Sequence, residues 1–184
     1  MGRYITHNNR GSIVEQLMLN TSEYYRSNGI AYFRKSNPEY SHVSKRGRSS
    51  LSMLDEDSFR IRLISKGDLD YYGVYKGKYF GIELKETKRQ EFCLSLLKEH
   101  QWTQLEEISS CGGISLLLIH FLHKESSFWL ISYSQLLKLR SEKKRKIFSL
   151  EEFKKVKAFE LSITYPYVFD LVPVLDQLIS HLKS

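Results

Sequence analysis

The first periodic stretch in the chain is helical. Stepping about 100° per residue from Ile13, Ile13, Val14, Leu17, Met18, Tyr24 and Tyr25 fall on one arc, so 12–27 is read as a helix with a buried stripe. Glu15 lies at the edge of that stripe, where a carboxylate can reach a cleft. Asn28-Gly29 ends the helix, and 30–33 reads as a short strand. Looser alternation over 59–64 sets Phe59, Ile61 and Leu63 against Arg60 and Arg62, a second strand. Residues 68–86 read as a hairpin whose turn is Lys76-Gly77, between tyrosine-rich flanks. Residues 99–110 are helical by spacing, with Trp102, Leu105 and Ile108 on one side, and Cys111-Gly112-Gly113 stops them. The run 114–122 predicts a buried strand and 128–133 its antiparallel neighbour, followed by helices at 134–141, 150–157 and 170–182. That order predicts a mixed α/β domain with a central sheet, occupying residues 1–184 as one unit.

Charge adds a partner class to this picture. The 184 residues hold 28 Lys and Arg against 21 Asp and Glu, a net charge of +7. An excess of this sign favours a polyanionic partner and says nothing about fold. The cations cluster in two places. Arg34, Lys35, Lys45, Arg46 and Arg48 lie among Ser, Asn, Pro and Gly in 34–50, a protruding basic segment, and 143–146 is an unbroken basic run. Residues 1–10 form a polar arm without the apolar core of a secretory signal. The longest apolar run, 114–122, contains His120 and is too short to span a bilayer, so no membrane role is expected. Cys93 and Cys111 lack metal-ligand spacing and are too few for a disulfide framework; reduced thiols in a cytoplasmic protein are the expectation.

The candidate chemistry sits in the 68–86 hairpin. Side chains alternate along a strand, so Glu83 and Lys85 share one face while Phe80, Ile82 and Leu84 fill the other. With Lys76-Gly77 as a two-residue loop, Asp70 faces Glu83 and Asp68 faces Lys85. Directly opposed residues have Cβ atoms about 4.5–5.5 Å apart. Two such carboxylates repel unless a cation sits between them, and a hard divalent ion, Mg²⁺ or Mn²⁺, prefers oxygen donors of this kind. Lys85 alongside would position a water or offset charge on a phosphate. Taken alone, such a spacing more often marks an ordinary half-exposed hairpin with surface charges. The apolar opposite face, the basic overall balance and a following helix carrying His100-Gln101 favour a site.

These residues also resemble a known family. Asp70-Tyr71-Tyr72-Gly73-Val74-Tyr75-Lys76-Gly77-Lys78-Tyr79, with Glu83-Leu84-Lys85-Glu86-Thr87-Lys88, looks like the core of the RecU-type Holliday junction resolvases. The likeness continues through Phe92, Leu94, His100-Gln101 and Gly112-Gly113-Ile114. Upstream it takes in Asn9-Arg10-Gly11, Glu15, Tyr24-Tyr25, Gly29-Ile30-Ala31 and Lys35, and downstream the 143–146 run and Tyr165-Pro166.

The resemblance implies a restriction-endonuclease-like fold: a mixed central sheet flanked by helices, with a protruding basic stalk over about 36–66. It implies a homodimer that resolves four-way DNA junctions by symmetric phosphodiester hydrolysis with Mg²⁺ or Mn²⁺, in recombination and repair. Recombinase and branch-migration proteins are the further partners expected, in a cytoplasmic, nucleoid-associated setting. By position, Asp70, Glu83 and Gln101 match metal-site residues, and Asp68 stands where the family usually has a threonine. Lys85 matches the lysine that stabilises the transition state, and Glu15 a helical acid near the active site of related nucleases. Arg10, Lys35, Lys45, Arg46 and Arg48 are the expected DNA contacts. The stalk's central aromatic has no clear counterpart, Leu63 being nearest. Two other readings stay open on the residues: a non-catalytic junction-binding protein on the same fold, and a nuclease that cuts duplex DNA.

Overall fold

The computed structural model describes residues 12–37, 40–42, 61–63, 68–123, 126–142 and 146–182. In chain order the elements are α1 (Ile13–Ser27), β1 (Tyr32–Lys35), β2 (Tyr40–His42), β3 (Ile61–Leu63), β4 (Tyr71–Tyr75), β5 (Lys78–Thr87), β6 (Glu91–Cys93) and α2 (Glu99–Ser110). They continue as β7 (Ile114–Phe121), β8 (Ser127–Ser132), α3 (Tyr133–Glu142), β9 (Ile147–Ser149), α4 (Leu150–Lys155) and β10 (Phe159–Leu161). The last are β11 (Ile163–Thr164), β12 (Val168–Phe169) and α5 (Val172–His181).

Six strands form the central sheet in the order β1-β4-β5-β7-β8-β10. The β5–β7 pair is parallel and the others are antiparallel, so the sheet is mixed, as the element order predicts. The β4–β5 hairpin has the expected register, Tyr75 facing Lys78 and Tyr71 facing Ile82. Its loop residues Lys76 and Gly77 have φ of 47° and 74°, the left-handed pair that a two-residue hairpin turn needs to match strand twist.

Alternation sorts the core into two layers. Phe80, Ile82, Leu84, Leu116, Leu118 and Leu130 point to the face covered by α1 and α5. Leu117, Ile119, Phe121 and Ile131 point to the face carrying Leu105 of α2, Leu136 and Leu139 of α3 and Phe153 of α4. Strand β7 is buried along its whole length because it is covered on both sides. Among the described residues no helix is long and apolar enough to cross a membrane.

Three features depart from the sequence reading. The α1 stripe is rotated: Ile13 is 59% exposed and Tyr24 lies at the surface, while Thr21 and Ser22 are buried instead. Thr21 is tolerated inside because its hydroxyl donates to the Leu17 carbonyl and accepts the Phe169 N–H at 2.9 Å. Strand β3, read from the alternation, does not join the central sheet but pairs with β2 in a separate ribbon. The short strands β6, β9, β10, β11 and β12 carry too few residues for periodicity to announce them. The 1–10 arm, most of the 36–66 segment and 143–145 lie outside the described residues.

The β1–β4 pairing imposes a steric condition. Gly73 faces Phe33, and a Cβ placed on it would lie 2.1 Å from the Tyr32 carbonyl oxygen and 2.6 Å from the Phe33 ring. The first of these is backbone and cannot swing away. Gly73→Ala is therefore expected to destabilise the protein by about 1–3 kcal/mol in urea unfolding, the range for an overpacked core site. An unchanged midpoint would show that β1 sits farther from β4 than described.

Candidate active site

Glu83 lies in the middle of β5, paired with Leu117 of β7 and roofed by the start of α2. Its side chain is 2% exposed. A carboxylate so deeply buried needs charged or hydrogen-bonding partners, and Glu83 has two. The Lys85 ammonium, two residues on along the same face, and the Gln101 amide nitrogen both donate to its Oε1. Gln101 in turn takes the Lys98 N–H on its amide oxygen at 3.0 Å, which closes the first turn of α2.

Asp70 completes the cluster from the neighbouring strand. The regular β4–β5 ladder ends at Tyr71–Ile82, and beyond it the Asp70 Oδ2 accepts the Leu84 N–H at 2.8 Å. A side chain thus takes over from the backbone where the two strands begin to part, and it fixes the carboxyl beside Glu83. Burial pushes the Glu83 carboxyl above its ordinary value, and the charge of Asp70 adds to the rise. The Lys85 contact works against both. The cluster is two acids and one ammonium in a partly dry pocket, arranged so that the acids repel.

Asp68 is placed differently from the facing of Lys85 that the hairpin register predicts. The ladder does not extend to it, because 68–70 bends away from the strand. Its Oδ1 instead accepts from Gln104 at 3.4 Å, one turn farther along α2. Among the described residues no three His, Cys, Asp or Glu converge to hold a metal ion, so Asp68, Asp70 and Glu83 do not form a three-acid cluster.

Glu15 and Lys35 are brought to each other. The Lys35 ammonium lies 3.3 Å from the Glu15 Oε2, and both side chains are half exposed. Lys35 faces Tyr71 in the β1–β4 ladder, so this ion pair sits one residue from Asp70. The Tyr71 hydroxyl is buried without a hydrogen-bond partner among the described residues. Burial first, then the charges of Glu15 and Asp70, push it up to about 12. Arg10, Lys45, Arg46 and Arg48 lie outside the described residues.

The hairpin motif alone does not reveal a second network, next to the first. Glu86 faces His120 across the parallel β5–β7 ladder, and the His120 Nδ1 lies 3.0 Å from its Oε1. The imidazole is fully buried, stacks on Phe128 at 4.3 Å between ring centroids and holds the Ser126 hydroxyl at 2.6 Å on its other nitrogen. The Ser12 hydroxyl donates to the same Glu86 oxygen, and the Val14 N–H also bonds this carboxylate. Ser12 makes no capping bond of its own, so Glu86, reaching up from the sheet, caps α1 in its place. Only the parallel register brings Glu86 and His120 together, and hydrophobic pattern does not encode that register.

With this geometry in place, comparison with known proteins is informative. A family model described as "RecU: Recombination protein U" matches residues 9–177. The chain belongs to the RecU family. A protein named Holliday junction resolvase RecU from Ureaplasma parvum serovar 3 is 30% identical over 125 residues, 68% of this chain and 72% of that one. A protein of the same name from Mycoplasmopsis pulmonis is 27% identical over 175 residues, covering 94% of this chain and 98% of its own length. The solved archaeal Holliday junction resolvase Hjc of Archaeoglobus fulgidus aligns over 77% of this RecU chain with a TM-score of 0.39 and 10% identity, too distant to bear on fold or site.

The Glu86 network predicts a pH signature. Burial acts to raise the Glu86 carboxyl, but the Ser12 and His120 hydrogen bonds outweigh it and hold the group below its ordinary value. A carboxyl depressed on folding contributes stability above its unfolded value and loses it as pH falls through the folded one. Glu86→Gln is expected to lower stability by about 1–2 kcal/mol at neutral pH, and the gap should close as pH drops below the ordinary glutamate range. Urea melts of both proteins across pH test this, and a gap that widens in acid refutes the assignment.

Proposed function

We propose that this RecU protein is a structure-specific endonuclease that resolves four-way DNA junctions by symmetric phosphodiester hydrolysis. The observation that carries the reading is the buried Glu83 carboxylate, with Asp70 beside it and the Lys85 ammonium and Gln101 amide against it. The names of the relatives support the junction as substrate.

The donor set fits a hard divalent cation. Asp70 and Glu83 offer carboxylate oxygens whose charges oppose each other, which a cation between them would relieve. Asp70 and Glu83 would hold Mg²⁺ or Mn²⁺, joined by Gln101 if its amide turns its oxygen from Lys98 toward Glu83. Asp68 would join only by leaving Gln104. When bound, such an ion offsets charge on the scissile phosphate and acidifies water beside it.

The remaining roles belong to this chain's own groups. Lys85 is held at the acids with its side chain 18% exposed, so its ammonium can turn to a phosphate oxygen as negative charge develops there. Glu15, paired with Lys35, would add negative charge near the Tyr71 hydroxyl at the edge of the centre. Lys35, Arg10, Lys45, Arg46 and Arg48 would grip phosphates, which makes binding salt-dependent. Two symmetric cuts require two centres, which a homodimer with a two-fold axis supplies.

The test uses a labelled four-way junction and a linear duplex, each with Mg²⁺, with Mn²⁺ and with chelator. Paired symmetric nicks are expected on the junction only. Glu83→Ala and Lys85→Ala should each cut about 10²–10³-fold more slowly, the usual loss of a transition-state charge contact, while still binding the junction. Binding without cutting at any metal concentration would favour a scaffold protein, and equal cutting of the duplex a general nuclease.

A further inference from the structure

The two-stranded β6–β9 ribbon is built against the end of β5 that carries the candidate centre. Three residues, 88–90, separate the strands, and the Thr87 hydroxyl donates to the Glu91 carbonyl at 3.2 Å. Phe92 and Phe148 face each other across the ribbon and are fully buried in the α2-side core, so its backbone is fixed. The residues that lead into its strands are basic. Residues 88–93 and 146–149 hold Lys88, Arg89 and Lys146 against a single acid, Glu91.

Some surface cations are held by acids: Lys35 by Glu15, Lys76 by Asp176 and Lys154 by Glu151. Among the described residues, the exposed Lys88, Arg89 and Lys146 have no acidic partner, and neither have Lys98, Lys138, Lys155 and Lys157; the first three are the ones that flank the ribbon strands beyond the end of β5. Uncompensated cations on a rigid support favour a polyanion, because no internal ion pair has to break before they engage. A thiol between them senses the same field. Hydrogen bonds from the Ser95 side chain and backbone hold the Cys93 thiol below its ordinary value, and Lys146 and Arg89 lower it further.

We propose that the β6–β9 ribbon is a DNA-backbone grip, in which Arg89 and Lys146, with Lys88 beside them, hold the phosphates of one junction arm next to the candidate centre. The proposal rests on the nuclease reading above and adds a surface to it. An arm held there would run past the end of β5, so that the phosphate beyond the grip arrives at Lys85. Contacts of this kind fix register on the duplex without reading sequence.

The two cysteines make the test internal. Cys93 lies on the ribbon, whereas Cys111 is exposed at the far end of α2, where β7 begins. The full chain is treated with iodoacetamide in chelator, with and without a saturating four-way junction, and each cysteine's modification is followed by peptide mass. Junction is expected to slow Cys93 several-fold and leave Cys111 unchanged. The double variant Arg89→Gln/Lys146→Gln should lose that protection, bind more weakly and show a salt slope shallower by about 2, one phosphate per lost cation. Bound junction with Cys93 unprotected, or with both cysteines slowed alike, overturns the grip. A protein that cuts junctions but leaves Cys93 unprotected refutes the grip alone, and one that binds no DNA refutes both readings.

Discussion

A carboxylate inside a sheet is the constraint around which this molecule is arranged. Glu83 is almost fully buried between two strands and a helix, and an ionised group there is tolerable only if its partners are supplied by rigid neighbours. The chain supplies them from two directions, Lys85 from the same strand and Gln101 from the first turn of α2, and sets the like charge of Asp70, just before β4, against them. None of the three is on a long loop, so their separation is set by sheet and helix geometry rather than by a flexible segment.

The approach of α2 depends in turn on a glycine. Gly81 shares the face of Glu83, two residues before it, and a Cβ there would lie 2.6 Å from Ile108 and 2.9 Å from Leu69. Its missing side chain is the space that Ile108 occupies. With Ile108 seated, the axis of α2 lies close over β5, and Gln101, about two turns earlier, lands on Glu83. A larger residue at 81 would have to displace the terminal methyls of Ile108 and Leu69, the packing that seats α2 over β5.

The legible part of this arrangement was the part written in period two. Alternation along 78–87 places Glu83 and Lys85 on one face and Phe80, Ile82 and Leu84 on the other, and the Lys76-Gly77 turn fixes the register that carries Asp70 toward Glu83. Helix α2 is equally plain from Trp102, Leu105 and Ile108. What sequence could not carry was pairing between distant segments. The parallel docking of β7 on β5, which joins Glu86 to His120, depends on which strand sits beside which, and the local pattern is the same for any neighbour. Asp68 illustrates the opposite failure. Extending an ideal ladder past Tyr71 places it at Lys85, but the strands part at Asp70, whose own side chain takes the backbone bond, and the bend directs Asp68 to Gln104 instead.

The two networks at the end of β5 have different electrostatic characters, and the difference bears on how the site meets a substrate. Glu86 has all its demands met internally, by Ser12, by His120 and by the first turn of α1, and that closure holds a helix to the sheet. Asp70 and Glu83 are not balanced in charge: the Leu84 N–H and the Gln101 amide donate to them, but one ammonium stands against two repelling acids. On the nuclease reading proposed above, a cation taken up between the acids would relieve their repulsion. Lys88, Arg89 and Lys146, which have no acidic partner among the described residues, flank the ribbon strands outside this pocket and face solvent. On the same reading, acid inside and base at the rim would match a phosphodiester backbone and its counter-ion.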